Sequence, residues 1–444
     1  MSDPWLQATA GDLGREIGRG AIDPLDLAET YLDAARSHAA GARIYVRLTP
    51  DRTRAEATAA RTRARDGVRR GPLDGVPISW KDLFDTAGIG TEAGSALLKG
   101  RIPEQDAACL AMATARGLVC LGKTHMAELA FSGLGLNPVT QTPPCVNDPA
   151  ADPGGSSSGA AASVAFGMAA AGIGSDTGGS VRLPAAWNNL VGLKTTAGLI
   201  SLHGVVPLCG SLDTVGPLCR SVEDAALLLE ALTGMRTDLA GAGLSGARFA
   251  VCKTSMLSDL ESGVAQGFEG AVRRLSSAGA TLEDVEIPAV AEVLAIGGVL
   301  VPVEACAQWH TEIESRGDVM FPEIRKRFET GRQFSGVDYV AAYKRMLGLR
   351  RAYPAQTAGY DAILAPTCPI LPPALDRLLT DSDYYVWANL MALRNTRVGN
   401  LLGLCALTLP TAVPGVGLMM LAPPGDDRRL LRLGQGVEQV LNTA

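Results

Sequence analysis

Apolar positions along the chain switch between a helical period and short continuous runs of strand length. Leu13, Ile17, Leu25 and Leu27 recur at helical spacing. Asp23-Pro24 pairs a capping side chain with a proline at the first helical position. Thr49–Asp66 is rich in Ala and Arg and polar on most faces, which predicts an exposed helix with solvated charges. The first 70 residues therefore read as helices wrapped around something else. Gly75–Phe84 reads as a short apolar strand carrying Lys81, and Asp106–Arg116 as a helix stopped by Gly117. Ala160–Gly172 is almost entirely apolar, which predicts a helix with no polar face, packed on all sides. Ser221-Val-Glu-Asp224 resembles a capping box and opens a helix ended by Gly234.

In the second half, Ala247–Cys252, Gly267–Ala278 and Thr281–Ile287 predict a strand–helix–strand unit with parallel strands and a right-handed crossover. Helices follow at Glu304–Glu314, Pro322–Thr330 and Val337–Arg351. Short strands are expected at Asp361–Ala365, Cys405–Leu409 and Val416–Leu421, before a last helix from Asp426. Strands alternating with helices mean an α/β sandwich. Neither an internal repeat nor a low-complexity linker divides the chain, so residues 1–444 are expected to form one domain.

Composition narrows the function classes. The chain has 444 residues, 47% of them hydrophobic and 5% aromatic, with 51 glycines. Close packing of small residues is expected rather than aromatic clusters. A net charge of −6 argues against a nucleic-acid surface. Nine scattered cysteines include no Cys-x-x-Cys pair and read as reduced residues of a cytoplasmic protein. The N-terminus is polar and soon reaches Asp12 and Arg15, so no signal peptide is expected. The apolar runs read as too short, or too rich in Gly and Ala, to span a membrane. Four histidines without His-Glu-x-x-His, together with the unpaired cysteines, argue against a catalytic metal, and no cofactor is expected.

Two motif matches mislead. Gly117–Thr124 fits G-x-x-x-x-G-K-[ST], but its centre is Leu-Val-Cys-Leu, a buried strand rather than a phosphate loop. Lys123 is expected to be structural or at a rim. Gly155–Gly159 fits the nucleophile elbow G-x-S-x-G, which would select Ser157. No strand enters that turn, because Asn147–Pro153 carries two prolines.

Chemistry concentrates in two Gly-Gly-Ser turns ending at Ser156 and Ser180, on either side of the apolar run. Glycines before a serine let the backbone approach a ligand. Gly154-Gly-Ser-Ser-Ser-Gly159, Gly174-Ser-Asp-Thr-Gly-Gly-Ser-Val-Arg182, Gly192-Leu-Lys194 and Gly75-Val-Pro-Ile-Ser-Trp-Lys81 together resemble the amidase signature family, with a further match at Ser211–Pro217. The resemblance is dense over residues 70–235 and weaker at Asp361–Thr367 and Asn400–Leu421. It implies an α/β/α sandwich around a large mixed, mostly parallel sheet. It also implies an amidohydrolase with a Ser–cis-Ser–Lys triad: Ser180 as nucleophile, Ser156 as bridge and Lys81 as base. The backbone of Thr177, Gly178, Gly179 and Ser180 would hold the oxyanion, with Asp176 and Arg182 shaping the loop.

The first turn departs from the family's common form at Ser158, where glycine is usual; activity is expected to survive. His125 stands where the family often has Asn. It, Met126 and Phe131 of the loop Met126–Asn137, and Trp187, are expected to line the substrate pocket. Tyr384, Tyr385 and Trp387 form an aromatic cluster at the entrance or at a contact. Leu183 occupies a place where some relatives with free-carboxylate substrates have arginine, which disfavours a small dicarboxylic amide. The expected partner is a small amide, with no nucleic acid or membrane; a homodimer is compatible with the chain. The alternatives are a hydrolase of carbamates or esters, and the amidase subunit of a glutamine-dependent tRNA amidotransferase. In that subunit the resemblance includes a longer C-terminal region.

Overall fold

The computed structural model describes residues 4–442, so the first residues of the polar N-terminus lie outside the described part. Eleven strands form one sheet: β1 (Tyr45–Leu48), β2 (Pro77–Lys81), β3 (Val119–Thr124), β4 (Ala171–Ser175), β5 (Val191–Lys194), β6 (Val215–Cys219), β7 (Arg248–Cys252), β8 (Thr281–Val285), β9 (Ala362–Pro366), β10 (Cys405–Pro410) and β11 (Gly417–Ala422). Their order is β1-β3-β2-β4-β6-β5-β10-β11-β9-β7-β8, with helices packed on the faces. It is a single-domain α/β fold.

The sheet is mixed, as expected, but it is not mostly parallel. Six of its pairings are antiparallel and four are parallel. The parallel pairs lie towards the two flanks, at β3-β2-β4 and β9-β7-β8. The hairpin β10–β11 and the inserted β6 run against their neighbours and join the flanks. The strand–helix–strand unit is present as predicted, with β7 and β8 parallel across the helix Ser262–Ser277.

The apolar run after the first turn is two elements, not one. The helix Ser158–Ala165 stops at Phe166, Gly167 turns the chain at φ 72°, and β4 begins at Ala171. Its small residues serve close approach. A Cβ at Gly172 would lie 2.8 Å from the Ala160 carbonyl oxygen, and one at Gly174 2.5 Å from Ser157 Oγ. Only side-chain-free positions let this helix lie on β4.

The N-terminal segment carries the predicted helices Ala10–Gly18, Pro24–Ser37 and Pro50–Arg65. It also supplies the edge strand β1, antiparallel to β3, which the helical reading does not include. The helix Pro50–Arg65 is not solvated all round. Glu56 accepts from Cys120 N–H at 2.7 Å, and Arg52 pairs with both Glu56 and Asp106, so these charges face inward. All nine cysteines are unpaired and eight are buried. The helix Pro288–Val319 is, by length and composition, apolar enough to cross a membrane, although the apolar runs read otherwise. Here it packs against the helices Pro322–Glu329, Gly336–Thr357 and Arg394–Leu401.

Arg220 ties the N-terminal segment to the sheet. Its guanidinium donates to the carbonyls of Leu6 and Ala8 on one side and of Val164, Ala169 and Ala170 on the other. Removing it strands several carbonyls whose donor was charged. Arg220→Met is expected to lower unfolding stability by about 3 kcal/mol, read as a shift of the urea midpoint. An unchanged midpoint would mean that the N-terminal segment is held by its apolar contacts alone.

Candidate active site

Lys81 is the last residue of β2, and Ser175 the last of β4. The two strands are parallel neighbours, with Trp80 opposite Ile173, so both residues emerge at the same end of the sheet. Ser156 arrives from the first Gly-Gly-Ser turn, across a Gly155–Ser156 peptide bond that is cis. Lys81 Nζ donates to Ser156 Oγ at 2.7 Å and to Ser175 Oγ at 2.8 Å. Lys81 and Ser156 are wholly buried. Burial pushes the Lys81 ammonium down to about 7, against the opposing pull of the Asp176 and Asp213 carboxylates.

Ser180 is 5% exposed and lines a pocket. Its backbone joins the two turns, since Ser157 N–H donates to the Ser180 carbonyl at 3.3 Å. Among the described residues the Ser156 and Ser180 hydroxyls are not hydrogen-bonded to each other. Ser157 points away from this pocket, fully buried, with Oγ on the Ser175 carbonyl, which fits no elbow nucleophile.

The second turn is built around one carboxylate. Asp176 accepts from the N–H groups of Gly179 (2.8 Å) and Val181 (3.2 Å), and from Arg182 through Nε (3.0 Å) and Nη2 (2.9 Å). Both partners of the Asp176–Arg182 pair are 0% exposed, so the ion pair is a buried one. Burial alone would raise Asp176; the Arg182 guanidinium, Lys194 and Asn400 outweigh it and bring the carboxyl down to about 2. Asn400 bridges the pair, accepting from Arg182 Nη2 at 2.6 Å and donating to Asp176 Oδ1 at 2.9 Å. Gly179 adopts φ 140°, and a Cβ there would meet Thr396 Oγ1 at 2.1 Å. Thr396 itself donates to the Gly178 carbonyl at 2.7 Å. Thr177 Oγ1 donates to Asp213, which also accepts from the N–H groups of Leu208 and Cys209. Reading the sequence alone does not single out Ser175, Asp213, Thr396 or Asn400. Ser175 and Asp213 lie inside densely matched segments and Asn400 at the start of a weaker one, which is their one available signal.

The pocket at Ser180 has a volume of about 110 Å³ and continues into an outer recess of about 430 Å³. Thr177, Gly178 and Ser180 form its floor, and Ala130, Phe131 and Ser132 one wall. Leu129 (φ 47°) and Ala130 (φ 59°) hold that wall in left-handed backbone, at a cost of about 1–3 kcal/mol each. Gly297 and Gly298, on the long helix Pro288–Arg316, also line the pocket. Of the expected lining residues, Phe131 is there. His125, Met126 and Trp187 are not: all three are buried outside the pocket. Trp187 packs with Leu134, Leu183 and Ile370, and the His125 ring lies against Thr140 with its basicity pushed down to about 4 by burial. The aromatic cluster is split. Tyr385 faces the outer recess and is hydrogen-bonded to Ser132, whereas Tyr384 and half-exposed Trp387 stack on each other. Lys123 is structural, buried and paired with Asp82 and Thr91.

Residues 26–431 match the Amidase family, and the chain belongs to that family, the amidase-signature hydrolases of carbon–nitrogen bonds. It is 36% identical to 2-amino-5-chloromuconic acid deaminase of Comamonas testosteroni, over 88% of this chain and 87% of that one. It is 34% identical to a glutamyl-tRNA(Gln) amidotransferase subunit from Anaeromyxobacter dehalogenans, over 96% of each. A crystal structure of an amidase superposes with a TM-score of 0.89 at 31% identity, covering 98% of this chain and all of the other. The alignment with the amidotransferase subunit spans nearly all of both chains, so a longer C-terminal region does not set the two apart.

Arg182→Ala would leave the Asp176 carboxylate buried without its cation. The expected loss is about 3–5 kcal/mol of stability. Thermal unfolding measures it, and a shift below about 1 kcal/mol would show that Asn400 and the turn's N–H groups suffice.

Proposed function

We propose that this chain is an amidohydrolase that cleaves the C–N bond of a small linear amide through Ser180, Ser156 and Lys81. The observation that carries the reading is a buried Lys81 Nζ held by two serine hydroxyls beside the Ser180 pocket. A serine hydroxyl is a weak nucleophile and needs a base. Lysine serves only when neutral, and burial brings Lys81 to about half neutral near pH 7.

In the first step Ser180 Oγ bonds to the amide carbon. Its proton passes to Ser156 Oγ, whose own proton goes to Lys81 Nζ, which requires the Ser180 hydroxyl to turn toward Ser156. The carbonyl oxygen becomes an oxyanion facing the N–H groups of Thr177, Gly178 and Ser180; the Gly179 N–H, expected to join them, is held by Asp176 instead. The relay then reverses, protonates the amine, and the C–N bond breaks. Water hydrolyses the acyl-enzyme by the same path. Asp176 and Arg182 act by holding the turn, not by touching substrate. The outer recess leaves room for carbamates or esters as well. Nine unpaired cysteines support a cytoplasmic setting.

A second reading is an amidotransferase subunit, favoured by the 34% identity along the chain. Turnover of simple amides by the purified single chain separates the two. A fluorophosphonate probe should label wild type at Ser180, and Ser180→Ala should lose both labelling and turnover. Retained labelling and turnover would move the nucleophile elsewhere.

The Lys81 ammonium is the inactive form, so kcat/KM should rise about tenfold per pH unit below pH 7 and level off above it. Lys81→Arg keeps the charge but cannot deprotonate. It should fall by about 100-fold or more across that range. Equal profiles for wild type and Lys81→Arg would remove Lys81 as the base.

A further inference from the structure

Two guanidinium groups line the Ser180 pocket without a counterion. Arg327 comes from the helix Pro322–Glu329 and Arg397 from the helix Arg394–Leu401. No Asp or Glu is among the residues lining the inner pocket. The outer recess has Glu323, and that carboxylate is held by Lys326 at 2.8 Å. Arg327 Nη1 is buried with no hydrogen-bond partner, and its guanidinium lies over the Phe131 ring, 4.6 Å from the centroid. Arg397 reaches the Leu390 carbonyl at 3.3 Å, and its stem lies against Gly178 of the turn, 3.5 Å from where a Cβ would be. Burial, and then repulsion from Arg327, lower Arg397 to about 10. Other arginines in this protein that lie inward are more fully served: Arg182 has Asp176, Arg52 has Glu56 and Asp106, and Arg220 has five backbone carbonyls. Two cations facing one apolar pocket are costly unless an anion joins them.

We propose that Arg327 and Arg397 form a carboxylate clamp, so that the substrate is an amide whose acyl part carries a free carboxylate. Guanidinium forks match carboxylate oxygens in a bidentate manner. The clamp sits on the acyl side because Arg397 packs on Gly178, beside the turn that ends at the nucleophile. It supplies from two helices the charge that Leu183 does not. No acid lines the inner pocket, so an α-ammonium group finds no partner there. Monoamides of plain dicarboxylic acids fit better than amino-acid amides. The inference rests on the proposed amidase reading for its chemistry but not for its binding.

The test separates the two. Binding of succinate, glutarate and adipate, and of their neutral diamides, is measured by calorimetry on Ser180→Ala and on the same protein with Arg327→Met or Arg397→Met. At least one diacid should bind about tenfold or more tighter than its diamide. Each methionine variant should weaken that diacid by about 10- to 100-fold and leave the diamide unchanged. In wild type, the monoamide of that diacid should be cleaved with a higher kcat/KM than the diamide. Diacids that bind no better than diamides, or as well without either arginine, overturn the clamp. Clamp-dependent binding without any cleavage would leave the clamp standing and overturn the amidase reading instead.

Discussion

The site depends on keeping one amine out of water. Lys81 has no carboxylate in contact, only two hydroxyls. Had Asp176 touched Lys81, the charged form would win and the amine could not act as the base proposed above. The fold prevents this by giving Asp176 a stronger partner. Arg182, Asn400 and the turn's own N–H groups occupy both carboxylate oxygens. Asp176 therefore holds the turn at close range while leaving Lys81 to its serines. Charge is spent on geometry in one place so that neutrality can be kept in the next.

That arrangement draws on distant parts of the chain. Asn400 and Thr396 approach the turn from a helix more than two hundred residues further on, just before the hairpin β10–β11. Lys194 closes the other side, donating to the Leu404 carbonyl, and burial with repulsion from Arg182 lowers it to about 8. The mixed sheet follows from the same need. A purely parallel sheet would need a long crossover between each pair of neighbouring strands. Antiparallel β6, β10 and β11 instead bring the C-terminal helices back against the turn.

Much of this is readable in the sequence, for identifiable reasons. The two glycine turns and the Lys81 strand announce themselves because positive φ and close approach demand glycine at fixed offsets. Helix starts such as Asp23-Pro24 and Ser221, and the strand–helix–strand unit at 248–285, rest on local rules and match the structure. What stays hidden depends on tertiary context. Ala160–Gly172 carries no period that separates a helix from a buried strand, and Gly167 is the break that composition conceals. His125 and Trp187 sit within a few residues of the site along the chain but face the core, since neighbours in sequence point in different directions. Asn400, Thr396 and Arg397 belong to a short helix whose relation to the turn is set only by the order of the strands.

The glycine pair on the long helix bears on how such a protein changes over generations. A Cβ at Gly297 would press on Leu401 at 2.8 Å, whereas Gly298 has open space beside it. Glycine inside a helix costs about 1 kcal/mol relative to alanine. A larger residue at 298 would therefore firm the helix while filling the cavity it borders. The helix would gain stability at the expense of pocket volume, through a single substitution. Position 298 is thus a place where a side chain could narrow the pocket without pressing on the core behind it.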